Sequence, residues 1–252
     1  MNQPRQQPAT VANVGEPGAN LWHAAEALCR AVAGRDLGEA PLYIVPQSSL
    51  PPDCGAGDHC YGYTTPSLDL YLADHIPGYR GRGPCVVVND IALAEEISGD
   101  ALAYRTLTII LHELAHVLDR PALYEDRTGV DPNRILFESL VVANATASPP
   151  RGDIPLYYGH EVGFIRIALH LVHRAEQAGF EVRPGAVCAG YCYGLSSAYR
   201  YQLALGDEPA RCTGMTFREI ITTKPPQAFS SLWCDDFIAY HQRCLVQKGT
   251  LP

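Results

Sequence analysis

IILHELAHVLDR, Ile109 to Arg120, sets two histidines, a glutamate and an aspartate into an otherwise apolar run. Leu107, Ile109, Ile110, Leu111, Leu114, Val117 and Leu118 leave the surrounding segment almost no polar face. That pattern predicts a central helix, buried on nearly all sides. Asp100 is placed to cap it and Pro121 to end it. Ionisable side chains in such a helix carry a desolvation cost unless they are paired or bind a metal. The polar residues therefore need a chemical reason to be there.

His112, Glu113 and His116 read H-E-x-x-H. Positions i and i+4 of a helix lie one turn apart on the same face, so both imidazoles can reach one zinc ion. Glu113, next to the first ligand, is placed to take a proton from a water that the metal activates. One helical turn thus supplies two ligands and a general base.

In this signature the chain resembles the zincin metallopeptidases, and the likeness is specific over Ile109 to Arg120. The resemblance implies a zinc-dependent peptidase that hydrolyses peptide bonds with a metal-activated water, acting on a peptide or protein substrate. It also implies a small mixed sheet packed behind the active-site helix, with an edge strand that aligns the substrate. PCVVVND, Pro84 to Asp90, about twenty residues before the motif, is the candidate for that edge strand.

A catalytic zinc has three protein ligands and an open position, and the metzincin extension with a third histidine close behind is absent. Three candidates compete. His160 is in register with Phe164, Ile167 and Leu171, the face of the following amphipathic helix that should pack inward. GHEVGF also resembles the H-x-x-x-F pattern in which SprT-like zincins present a histidine at a helix start. Two features depart from that branch: the 43-residue gap from His116 and Glu161 in place of a glycine. Glu138, in LFESLVVANA, is the runner-up by resemblance to the gluzincins, although no aspartate follows at their usual offset; its plain alternative is a surface charge. Asp119 shares the face of the ligands but lies roughly 10 Å from His112 along the axis. A supporting bond to a ligand histidine suits it better than coordination. Tyr157 and Tyr158 are candidate oxyanion donors, set against ordinary packing with a polar tip. His170 and His173 fall off the inward face and read as solvated or capping groups, and Arg166 and Arg174 as exposed helix charges.

The rest of the chain bounds the reading. Its 252 residues, 47% hydrophobic, are enough to bury a substantial core. A net charge of -8 disfavours nucleic acid and anionic membranes as partners. It also weighs against a DNA-associated SprT-like protease, while the intact Glu113 weighs against a non-catalytic zinc-stabilised scaffold. No apolar run approaches the length that spans a bilayer, and the N-terminus lacks the apolar segment of a secretory signal. The expectation is a cytoplasmic protein with nine reduced cysteines. A Cys54–Cys60 disulfide is reserved for an oxidising compartment, and a zinc site at Cys188 and Cys192 is disfavoured by their spacing.

Helical spacing is expected in LWHAAEALCRAVAG, ending at Gly34. PLYIVP, LDLYLADH and PCVVVND read as strands, residues 47–68 as loop and IALAEEIS as a short helix. VDPNRILFESLVVANA, HEVGFIRIALHLVHRAEQAGF, LSSAYRYQLAL and AFSSLWCDDFIAYHQRC read as helices. The order suits an α+β fold: a disordered leader over 1–19, a zincin-like domain over 20–180 and a helical extension over 181–252. In that extension Phe229, Leu232, Trp233, Phe237 and Tyr240 recur at core-packing spacing.

Overall fold

A computed structural model of the chain describes residues 17–54, 60–66, 68–119, 160, 162–188 and 197–247. The first helix, α1 (Pro17–Leu37), runs past Gly34. A glycine alone does not stop a helix. The stop is Gly38, whose φ of 55° leaves the right-handed region. Three short strands follow: β1 (Tyr43–Pro46), β2 (Gly62–Thr64) and β3 (Cys85–Val88). They form one mixed sheet in the order β1–β3–β2, with β1 parallel and β2 antiparallel to β3.

Three expectations fail here. The valine-rich segment β3 is the central strand and not an edge, because it is paired on both sides. All four of its residues are buried. Val86 and Val88 face the main core, while Cys85 and Val87 face a smaller one with Tyr43, Val45, Leu68 and Leu72, as the pleat requires. The strand paired with β3 opposite β1 is β2, inside a stretch whose glycine and polar content reads as loop. LDLYLADH is not a strand but the short helix α2 (Leu68–Tyr71) and a 3-10 turn over Ala73–His75. Its leucines alternate with other residues, yet Leu68 and Leu72 are one helical turn apart and both are buried in the smaller core. Asp69 is buried beside them, bonded by Arg82 Nε and by the Gly83 N–H.

Asn89 caps α3 (Asp90–Glu96) by accepting from the Ala92 N–H. The motif lies on α4 (Gly99–Asp119), with Asp100 inside its first turn. The expected central burial holds: Ile110, Leu111, Leu114 and Leu118 are essentially inaccessible. Helix α4 packs against α1, β2, β3 and α5 (Val162–Gln177), the amphipathic helix that ends at Gly179. Beyond it come α6 (Pro184–Val187), α7 (Ala198–Leu205), α8 (Glu208–Arg211), α9 (Phe217–Thr222) and α10 (Gln227–Gln247). Val187, Tyr201, Leu205, Phe217, Ile220 and Phe229 from this C-terminal part join the same core as Leu111, Leu114 and Phe164. Each such large side chain contributes about 1.5–3 kcal/mol by leaving water. The architecture is α+β, helix-rich around a three-stranded sheet. Among the described residues no helix is long and apolar enough to cross a membrane.

The polar residues of α5 also differ from expectation. Arg166 is buried, its Nε 2.8 Å from Glu208 Oε1 and its other nitrogens on Thr223. His170 is buried too, with Nε2 3.0 Å from the same carboxylate oxygen. Arg174 is half-buried, stacked over Phe217 at 4.1 Å from the ring centroid and bonded to the Val32 and Met215 carbonyls. These groups are buried because α8 and α9 close over a face that helical periodicity alone leaves to solvent. Helix α9 is itself anchored to α1, since Asp36 accepts from the Phe217 and Arg218 N–H groups. Cys54 and Cys60 are free thiols, while Cys192 lies outside the described residues.

Burial pushes the His170 imidazole down to about 4, against its bond to Glu208. Protonation would put a second cation beside Arg166 and leave the buried Nδ1 with a charge and no acceptor. Because the folded-state value lies below the unfolded one, the unfolded chain binds more protons between about pH 6.5 and 4. Stability should therefore fall as pH drops through that window, by up to about 3 kcal/mol from this group. Urea titrations at a series of pH values should show the decline, and His170→Gln should remove this group's share of it.

Candidate metal centre

Two histidines of the site come from one turn of α4 and the third from the chain entering α5. His112 is anchored first: its Nδ1–H donates to the Val187 carbonyl at 2.7 Å, leaving the Nε2 lone pair directed elsewhere. His116 Nε2 lies 3.3 Å from His112 Nε2, and His160 Nε2 lies 3.1 Å from it. One nitrogen from each of the three falls within 4.8 Å of the others, a group that could hold a metal ion. Three imidazole nitrogens at about 2.0–2.1 Å from a tetrahedral ion would stand about 3.3 Å apart. The donor set and its spacing therefore fit a metal.

Phe164 underlies the cluster. Its ring centroid is 5.0 Å from that of His112, 4.4 Å from His116 and 4.7 Å from His160. An apolar plate beneath three imidazoles fixes their tilt and keeps water from their inner side. Sequence periodicity places Phe164 in the core without revealing this role, although its position four residues after His160 is the signal. His160 is in register with Phe164, as expected, but it stands two residues before α5 and not within the helix.

Burial keeps the His112 imidazole neutral, pushing its value down to about 4, with the nearby Arg105 charge adding to the effect and the Val187 bond opposing it. Neutral imidazole is the ligating form. Glu113 is 6% exposed, and burial pushes its carboxyl up to about 8 against a hydrogen bond from the Thr64 backbone. That bond ties Glu113 to β2. Gly62, two residues earlier, is pressed on the helix so closely that a Cβ there would stand 2.4 Å from Ile109 Cγ2 and 3.4 Å from Glu113 Oε1. Strand β2, not β3, is thus the strand beside the motif.

Asp119 lies against Gly163 in the first turn of α5, where a Cβ would come within 2.1 Å of its Oδ1. A carboxylate is favourably placed at a helix N-terminus. This links Asp119 to the segment carrying His160. Glu138, Tyr157 and Tyr158 lie outside the described residues.

No protein-family model, curated protein or solved structure matches the chain.

Gly163→Ala should lower stability by about 1–3 kcal/mol, because the new methyl and the Asp119 carboxylate contend for one place. In the Asp119→Ala background the same substitution should have much less effect, and a double-mutant cycle by urea denaturation reads the difference. Additive losses would separate Asp119 from Gly163.

Proposed function

We propose that the chain is a zincin-like, zinc-dependent metallopeptidase. The observation that carries this reading is the convergence of His112, His116 and His160 beside a buried Glu113 that is tied to a neighbouring strand. Three imidazoles suit zinc, and three ligands leave room for a substrate oxygen or a water.

When bound, zinc would supply Lewis acidity, polarising a carbonyl and lowering the pKa of a water. His112, His116 and His160 would hold it, with His112 oriented by Val187 and all three backed by Phe164. Beside a bound cation the Glu113 carboxyl would ionise more readily than it does when buried alone, and its Oε would then take the proton of the attacking water and pass it to the leaving amine. Its Thr64 bond and the packing of β2 hold the carboxylate in place for that task. The backbone of β2 offers a peptide substrate a strand to lie beside. A purely structural site would have no use for a general base, and it would ordinarily close its fourth position with another side chain.

Purified protein should contain about one zinc per chain by elemental analysis. His112→Ala and His160→Ala should lose it, whereas Glu138→Ala should keep it. Retention by His160→Ala with loss by Glu138→Ala would move the third ligand to Glu138. Glu113→Gln should keep zinc while peptide hydrolysis falls at least about a hundredfold. Zinc-free folded wild type would sink the proposal, and zinc-loaded protein that cleaves no peptide library would leave a metal-stabilised scaffold.

A further inference from the structure

Arg105, Ile109, His112 and His116 form one stripe along α4, since at 100° per residue they fall within about 60° of one another. The two sides of the stripe are occupied by different elements. On one side Tyr61 leads into β2, and Gly62 lies against Ile109 and Glu113. On the other, the Arg183 N–H donates to the Tyr104 hydroxyl and the Val187 carbonyl accepts from His112, so α6 follows α4 from Tyr104 to His112. A peptide lying beside β2 across the histidines passes Arg105 at one end.

The Arg105 guanidinium carbon stands 5.7 Å from the centroid of the Tyr61 ring. Both residues are partly exposed. Among the described residues no carboxylate lies within ion-pair distance of Arg105. Glu96, which also approaches Tyr61, is engaged by the Tyr61 hydroxyl. By contrast, Arg166 and Arg82 are each matched by a carboxylate at 2.8 and 2.9 Å. A guanidinium held near an aromatic face by cation–π attraction still has N–H groups with which to bond a carboxylate, and it can do so with two parallel bonds. The chain as a whole carries a charge of -8 and repels anions, so a local cation is needed if an acidic peptide is to be accepted.

We propose that Arg105 determines substrate class by binding a carboxylate of the peptide, an acidic side chain or a free C-terminus, about three residues from the bond that is cut. The distance follows from the helix: seven residues from Arg105 to His112 span roughly 10 Å, which an extended chain covers in about three residues. The inference rests on the peptidase reading for its substrate, and binding tests it separately from cleavage.

The probe is a fluorescently labelled peptide library with one Glu, Gln or Lys scanned through each position, made with free and with amidated C-termini. Its binding to zinc-loaded Glu113→Gln protein is read by fluorescence anisotropy. A preference for carboxylate over its neutral counterpart of about ten- to a hundredfold is expected at one position. Adding Arg105→Gln should erase the preference, and adding Arg105→Glu should turn it toward Lys, with circular dichroism confirming that both variants fold. Sensitivity to amidation alone identifies the terminal carboxylate, and sensitivity to Glu→Gln an acidic side chain. A carboxylate preference left unchanged in the Arg105→Gln protein, whether Glu over Gln or free over amidated C-terminus, overturns the proposal, as does a parent that binds no peptide. Cleavage of the same library by wild type is scored apart: selective, Arg105-dependent binding without cleavage removes the peptidase reading and leaves the carboxylate recognition standing.

Discussion

Desolvation of the polar turn of α4 is the constraint around which the described part of the molecule is arranged. Three imidazoles and a carboxylate cannot be taken from water without partners. Each one met here has a specific support. The Val187 carbonyl accepts the His112 Nδ1–H, Phe164 backs all three rings, and the Thr64 backbone holds Glu113. These supports come from three separate parts of the chain. The apolar residues around it anchor the turn, since Leu111, Leu114 and Leu118 are buried in the core.

Helix α5 joins the site to the rest of the core. Its first turn follows His160, carries Phe164 and meets Asp119, and Arg166, His170 and Arg174 follow at four-residue intervals along it. The last three are held by α8, α9 and the loop between them. A buried ion pair such as Arg166–Glu208 is weak evidence for stability, because desolvation offsets much of the attraction. What it does is make misplacement costly, since either partner left alone would be an uncompensated buried charge. The C-terminal helices therefore fix the position of α5, and through it the approach of His160 to His112.

Several features of this arrangement were legible in the residues. H-E-x-x-H is a local pattern whose geometry follows from helical periodicity, so His112, Glu113 and His116 needed no tertiary information. His160 was reachable because reading it in register with Phe164 and Ile167 turns it inward, although the structure sets it two residues before α5. Other readings failed for a common reason. LDLYLADH satisfies both period 2 and an i, i+4 pair, and only the smaller core beneath it chooses helix. PCVVVND is equally apolar as an edge or a centre, and strand pairing alone decides. His170 and Arg166 look solvated on a helical wheel until α8 and α9 cover them.

The sequence by itself determined that α4 is buried, that it carries two metal-spaced histidines with an adjacent acid, and that a further histidine heads the next described amphipathic helix. These are properties of periods and neighbours, within reach of one or two turns. Only the tertiary structure decided which strand lies beside the motif, that Phe164 backs the cluster, that Asp119 meets Gly163 and that His112 finds Val187, 75 residues away. Such contacts join parts of the chain whose local patterns are indifferent to one another, and the packing of one shared core is what selects them.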